Sequence, residues 1–371
     1  ISDVPLGAHL SGGIDSSLIV ALMAEQMGQP IKTFSIGFKE ADFNELPFAR
    51  LVAQRYKTDH REFIVEPDAL SVIEKLAYHY EEPYADSSAL PTWYLAQLTR
   101  EHVTVALNGD GGDENFAGYS RYNAMKLFQQ FKFVPGKKLL ALINQKLHRM
   151  TGQKIFRQAD RFFSAYDNNP LDFYLRIIDY LGQEEKSQIY TDELKKATTD
   201  SRWHSFLSDI FANGKSLDPL DQILQTDINS YLPDDLLVKV DIASMAHALE
   251  TRSPFLDHEM LELTAQMPSG LKLHGHNKKY LLKQIAYKYL PKECIDRPKQ
   301  GFGVPLEQWF KGSLNNFLQE QLLDKKFLDF GFNPVGIKQL ITDHKTSRQN
   351  NSNQLWALMM LSQWRKRYFN D

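Results

Sequence analysis

Ala8-His-Leu-Ser-Gly-Gly-Ile-Asp-Ser-Ser17 decides the fold. A short apolar strand ends at Leu10 and breaks at two glycines. From Asp15 to Met27, apolar residues fall at 18, 19, 22, 23 and 27, the spacing of one helix face. The same alternation continues outward. Ile31–Gly37 and Arg61–Val65 read as strands. Asn44–Tyr56 reads as a helix capped by Asn44, and Asp68–Tyr80 and Ser88–Glu101 read as helices. Val103–Leu107 is a further strand, broken at once by Asn108-Gly-Asp-Gly-Gly-Asp-Glu114. Strands alternating with helices of this length predict βαβ units and a parallel sheet. Ligands of such sheets sit beyond the carboxyl ends of the strands.

After about residue 125 strand signals nearly vanish. Amphipathic helices are expected over 137–150, 159–181, 203–212, 219–230, 235–249, 256–267, 278–289, 313–323 and 354–368. The chain therefore reads as an α/β nucleotide-binding core over 1–125 and a mainly helical part over 126–371. The polar stretch His344–Asn353 is expected to be a mobile surface loop.

Composition narrows the function. Across 371 residues, 43 Lys+Arg face 46 Asp+Glu, a net charge of −3, which excludes a broad nucleic-acid footprint. The longest apolar runs, such as Leu18–Ala24, fall far short of a membrane span. A single cysteine, Cys294, excludes an internal disulfide and a cysteine metal cluster, and points to a reducing, cytoplasmic setting. Packing explains Cys294 better than nucleophilic chemistry does. The chain begins at Ile1 and runs almost at once into a strand, so it reads as a cut from something longer or as a processed chain.

The two glycine loops carry the chemistry. Glycine lets backbone approach a ligand closely. Unpaired N–H groups at a helix start favour an anion, and Ser11, Ser16 and Ser17 add hydroxyl groups. Asp15 suits an anion site only with a cation beside it, and Mg²⁺ between carboxylate and phosphates meets that need. An ordinary strand-to-helix turn with a capping serine is the plainer alternative. The second loop holds three glycines and three acids within seven residues and should open on the same edge of the sheet. Its acids suit metal ligands or a base.

Ser11-Gly-Gly-Ile-Asp-Ser16 resembles the SGGxDS pyrophosphate loop of the N-type ATP pyrophosphatases, enzymes that cleave ATP between the α and β phosphates. The wider pattern is similar to the synthetase domain of glutamine-dependent asparagine synthetases. The stretches that carry it are Val4–Ser17, Glu82-Pro-Tyr-Ala-Asp-Ser-Ser88, Gly109-Asp-Gly-Gly-Asp-Glu114 with Phe116–Tyr119, Ala248–Asp257 and Arg297-Pro-Lys-Gln-Gly-Phe302. They occur in the family's order over nearly the whole chain.

The resemblance implies an adenine nucleotide alpha hydrolase-like core and an ATP-dependent amide-forming ligase with ATP and Mg²⁺ as cofactors. Aspartate would be adenylated at its β-carboxylate, and ammonia would displace AMP. Leu10, Ile36, Asn108 and Gly109 match positions around adenosine. Ser11, Gly12, Gly13 and Ser16, with Ser17 beside them, match the pyrophosphate loop. Asp15 and Asp113 match magnesium-linked acids. Asp110 matches an acidic position tied to acyl-adenylate formation, with a shorter side chain than the Glu of some members. Lys299 matches a loop lysine that meets the phosphates. Glu114, Glu250 and Arg252 are further candidates for positioning substrate. The last two stand at a helix end before Pro254, where a buried ion pair is the alternative. Ile242 stands where many relatives carry a basic residue.

In the family a glutaminase domain with an N-terminal catalytic cysteine supplies the ammonia. The chain is expected to lack that domain, to leave glutamine intact and to use free ammonia. No nucleic-acid or membrane partner is implied, and a homodimer is allowed. Rival readings are the same chemistry on another carboxylate, as in a β-lactam-synthetase-like cyclase or a sugar or peptide amidotransferase, a tRNA-thiolating relative, and a non-catalytic nucleotide-binding module.

Overall fold

The computed structural model describes residues 2–65, 70–131, 162–163, 166, 169–199, 202–297 and 303–369. Strand β1 (Leu6–His9) leads through helix α1 (Ile14–Gln26) into β2 (Lys32–Phe38), then through α2 (Leu46–Tyr56) into β3 (Asp59–Val65). Helices α3 (Leu70–Tyr80) and α4 (Ala89–Arg100) precede β4 (Val105–Leu107). A short helix, α5 (Gly112–Asn115), and a longer one, α6 (Ser120–Phe131), follow. The expected cap at Asn44 is shifted: α2 begins at Leu46 with Glu45 in the cap position and no side-chain cap from it, while Asn44, one residue earlier, accepts the Leu46 N–H on its Oδ1 at 3.1 Å.

With a fifth strand, β5 (Glu250–Arg252), the sheet is parallel, in the order β3-β2-β1-β4-β5. The connections run outward in one direction from β1 and in the other from β4, so the chain switches direction between these two neighbours. Ala8 pairs with Thr33 on one side and Leu107 on the other. The loops that leave β1 and β4 therefore emerge side by side at the switch point, where an open α/β sheet leaves a crevice.

The fifth strand, Glu250–Arg252, is not predicted by the sequence. The expected helix over 235–249 is instead a wide π turn over Leu232–Leu237 and a helix over Val238–Met245, and the chain then extends into β5. Backbone pairing places it: Leu107 registers with Arg252, and the Asn108 N–H donates to the Arg252 carbonyl at 2.9 Å. The supposed helix end before Pro254 is thus an edge strand.

The expected loop over 344–353 also differs. Helix Pro334–Lys345 includes His344, which is buried; its Nδ1 accepts the Asn351 N–H at 3.1 Å. Asn351 is buried too and donates to the Leu340 carbonyl, so both ends of the stretch are fastened. The predicted helix 137–150 lies outside the described residues, as do 159–161, 164–165 and 167–168 of the helix expected over 159–181; the later part of that stretch appears as Pro170–Ile178.

Three hydrophobic clusters hold the elements. The largest joins Phe34, Leu76 and Trp93 of the first third to Trp309, Phe310, Trp356 and Met359 of the last. A second encloses α1, with Leu18 and Val20 packed among Ile31, Val52, Leu282 and Leu290. Helix α1 is buried over most of its circumference, which suits its nearly unbroken apolar run. A third gathers Tyr122, Phe128, Phe173 and Ile223. Trp356, 1% exposed, lies where the C-terminal helix meets the sheet-side core. Trp356→Ala should lower stability by about 3–5 kcal/mol, read as a lower urea midpoint.

Candidate active site

The backbones of the two loops touch. A Cβ at Gly109 would stand 2.9 Å from both the Asp15 Cβ and the Ser16 nitrogen. A Cβ at Gly112 would strike the Asp15 carboxylate at 2.6 Å. In the first loop Gly12 has φ +73, and its α-carbon sits against the start of α2, where a Cβ would lie 2.5 Å from the Ala49 nitrogen. Gly13, rather than a serine, caps α1, and no side chain caps the helix. Ser11 and Ser16 hydroxyls bond each other at 3.0 Å and brace the turn. No cap side chain bonds the first N–H groups of α1, and a helix start favours an anion.

A cavity of about 800 Å³ opens over this junction. Leu10, Ser11, Gly13, Asp15, Ser16, Ile36, Asn108, Gly109, Asp110 and Asp113 line it. Gly12, Ser17 and Glu114 lie behind the lining. Glu250 and Arg252 are not part of it. They are exposed on β5 and pair with each other at 2.5 Å, while Thr251 between them lines the cavity. Alternation along a strand sends neighbours to opposite faces, which separates Thr251 from the charged pair. Lys299 lies outside the described residues.

Two half-buried acids meet one buried cation at the centre. Lys279 Nζ lies 2.5 Å from Asp15 Oδ2 and 2.7 Å from Asp113 Oδ1. Burial alone would lower the ammonium's pKa, but Asp113 and Asp15 outweigh it and raise it. The Lys279 N–H also donates to the Phe116 carbonyl at 3.0 Å. Gly118 completes the fit, since a Cβ there would overlap Asp113 and the Lys279 stem. Asp110 lines the cavity near this triad. Among the described residues its carboxylate has no hydrogen-bond or ion-pair partner. Burial raises its pKa; Lys239 opposes that, and Asp113 and Asp15 add to it.

Other lining groups escaped sequence reasoning. Lys239 pairs with Asp86 at 2.9 Å. Arg297 pairs with Glu45 at 2.7 Å and stacks its guanidinium 4.3 Å over Phe48. It stands 4.0 Å from where a Gly13 Cβ would be, so a cation does flank the first loop. A lysine at a helix start is unfavourable by the helix dipole, and Lys279 directly before Tyr280–Tyr289 carried that signal. Cys294 is buried, its thiol pKa raised by burial, as a packing residue should be.

Two carboxylates from different loops converging on one point form a hard oxygen donor set that fits Mg²⁺, which completes its shell with phosphate oxygens and water. Among the described residues no group of three or more His, Cys, Asp or Glu side chains is poised for a metal, so these two acids would hold it with help from a phosphate. Among the described residues no helix is long and apolar enough to cross a membrane.

A family model described as asparagine synthase matches residues 1–366. The chain is similar to asparagine synthetase [glutamine-hydrolyzing] 1 of Bacillus subtilis, 29% identical over 98% of this chain and 56% of that protein. It is also similar to a putative asparagine synthetase [glutamine-hydrolyzing] 2 of Methanocaldococcus jannaschii, 34% identical over 66% of this chain and 46% of that protein. The amidase chyE of Penicillium rubens is 24% identical over 89% of this chain and 54% of that protein. The chain spans about half the length of these curated relatives.

Glu114 offers a test of the second loop's environment. It is 1% exposed, and Tyr119 donates to its Oε1 at 2.5 Å. Arg121 pins that tyrosine, its guanidinium lying 4.2 Å from the Tyr119 ring and 4.3 Å from the Tyr231 ring. Burial, then the Asp113 charge, push Glu114 up to about 7. A carboxyl raised on folding stabilises most below its unfolded value near 4.5, and that contribution is lost as pH rises through about 7. Glu114→Gln should therefore gain stability relative to the parent between pH 5 and 8, by up to about 3 kcal/mol. Urea unfolding at each pH reads the difference, and a constant difference would contradict the raised value.

Proposed function

The chain belongs to the asparagine synthase family, and from that premise we propose that it joins ammonia to the β-carboxylate of aspartate at the expense of ATP. The observation that carries this reading is the meeting of the two glycine loops at the sheet's switch point, over one cavity lined by Asp15, Asp110 and Asp113. The α1 N–H groups and the Ser11 and Ser16 hydroxyls grip the pyrophosphate portion of ATP. Leu10, Ile36, Asn108 and Gly109 surround adenosine. When bound between Asp15 and Asp113, Mg²⁺ supplies charge neutralisation for the phosphates.

An aspartate β-carboxylate oxygen attacks the α-phosphorus, the bond to the bridging oxygen breaks, and pyrophosphate leaves. Arg297 and the lysine at 299 are placed in sequence to balance the charge on the leaving group, the type of term that dominates many catalysed reactions. Ammonia then adds to the acyl carbon. Asp110 accepts the proton shed by the nitrogen as the C–N bond forms, and AMP leaves. Burial makes Asp110 a stronger base than an exposed aspartate. Glutamine is the nitrogen source we propose for the complete protein, with ammonia as the form that these residues use.

The test is exchange of labelled pyrophosphate into ATP. Exchange should require L-aspartate, and added ammonium should yield asparagine and AMP. Failure of every carboxylic acid to support exchange, with ATP still bound, would leave a nucleotide-binding module instead. Asp110→Asn should slow asparagine formation roughly 10²-fold or more while ATP binding persists, the range for loss of a general base. An unchanged rate would remove Asp110 from that role.

A further inference from the structure

Beyond the phosphate loops, the cavity continues to a second charged centre built around Lys239. This lysine is the second residue of the helix Val238–Met245, just after the π turn over Leu232–Leu237, which contains Pro233 and widens the chain. Such widened turns are frequent at functional sites. Lys239 is 8% exposed, yet it lines the cavity. An ammonium has three N–H donors. One goes to Asp86 Oδ2 at 2.9 Å and one to Ser88 Oγ at 2.8 Å. Asp86 Oδ1 also takes the Ser88 N–H and hydroxyl, so both groups that hold the ammonium are themselves fixed. The third donor has no protein partner among the described residues.

A purely structural ion pair would explain the bond to Asp86. It does not explain a buried lysine on a cavity wall with a donor left over. Position supplies the rest. Asp110 is near enough to Lys239, Asp113 and Asp15 to interact electrostatically with each, and all four line the one cavity. A reacting carboxylate must sit at the phosphate side. An anionic group one or two carbons further along the same acceptor would reach toward Lys239.

We propose that Lys239 binds a second, non-reacting carboxylate of the acceptor, held ready by Asp86 and Ser88, so that the site selects dicarboxylic acids. This rests on the ligase reading above and assigns the part of the substrate that the reaction does not change. In L-aspartate the group is the α-carboxylate. β-Alanine is aspartate without it and provides the probe.

Pyrophosphate exchange by the parent chain should favour L-aspartate over β-alanine by roughly 10- to 100-fold in kcat/KM, the worth of one charge-assisted hydrogen bond. Lys239→Met should erase that preference by raising the KM for aspartate, with the ATP dissociation constant unchanged. Lys239→Arg should restore part of it. A preference that survives in Lys239→Met would give the lysine a structural role only and overturn the assignment. Equal use of both acids by the parent chain would overturn it as well, and that comparison needs no variant to fold. Absence of exchange with aspartate in the parent chain would instead remove the ligase reading, and this assignment with it.

Discussion

The ammonium of Lys279 between Asp15 and Asp113 ties the site together. It joins the start of α1, the second loop and a helix some 264 residues further along the chain. Removing one partner from such a buried group would leave an uncompensated charge, typically at a cost of about 3–5 kcal/mol. The backbone shares the constraint. Lys279 adopts a left-handed φ of +54 to aim its side chain inward, and Gly118 has to be glycine to leave it room. Two carboxylates against one ammonium leave one negative charge in a buried place, which is the imbalance a divalent cation can meet.

The rest of the cavity follows the same logic of charges held by other charges. Arg297 is fixed by Glu45 beside the first loop. Lys239 is fixed by Asp86 and Ser88 at the far end. Asp110 alone among the lining carboxylates is left without a hydrogen-bond or ion-pair partner among the described residues, and it lines the same cavity as Lys239 and Lys279. Fixed dipoles and charges aimed into a low-dielectric cavity act without reorganising, which is what a reaction that builds and sheds phosphate charge requires.

Much of this was legible in the sequence because it is local. Leu10 ends a strand and Gly12-Gly13 break it, Leu107 ends another and Gly109 to Gly112 break it, and the alternating helices allow only a parallel sheet. That Asp15, Asp110 and Asp113 share one cavity follows from β1 and β4 being neighbours. What was hidden is tertiary. Glu250-Thr-Arg252 has no apolar run, and only its backbone bonds to β4 make it a strand. Lys239 sits in an amphipathic stretch where a lysine ordinarily faces water. Lys279 is far in sequence from either acid, and its awkward place before a helix was the one local hint of its role.

The account rests on the two loops gripping one phosphate chain through Asp15 and Asp113. A crystal structure of the chain grown with Mg²⁺ and a non-hydrolysable ATP analogue tests this most directly. The phosphates should lie against the N-terminus of α1, with the metal bound by both carboxylates. Phosphates bound elsewhere, or a metal that touches neither Asp15 nor Asp113, would contradict it.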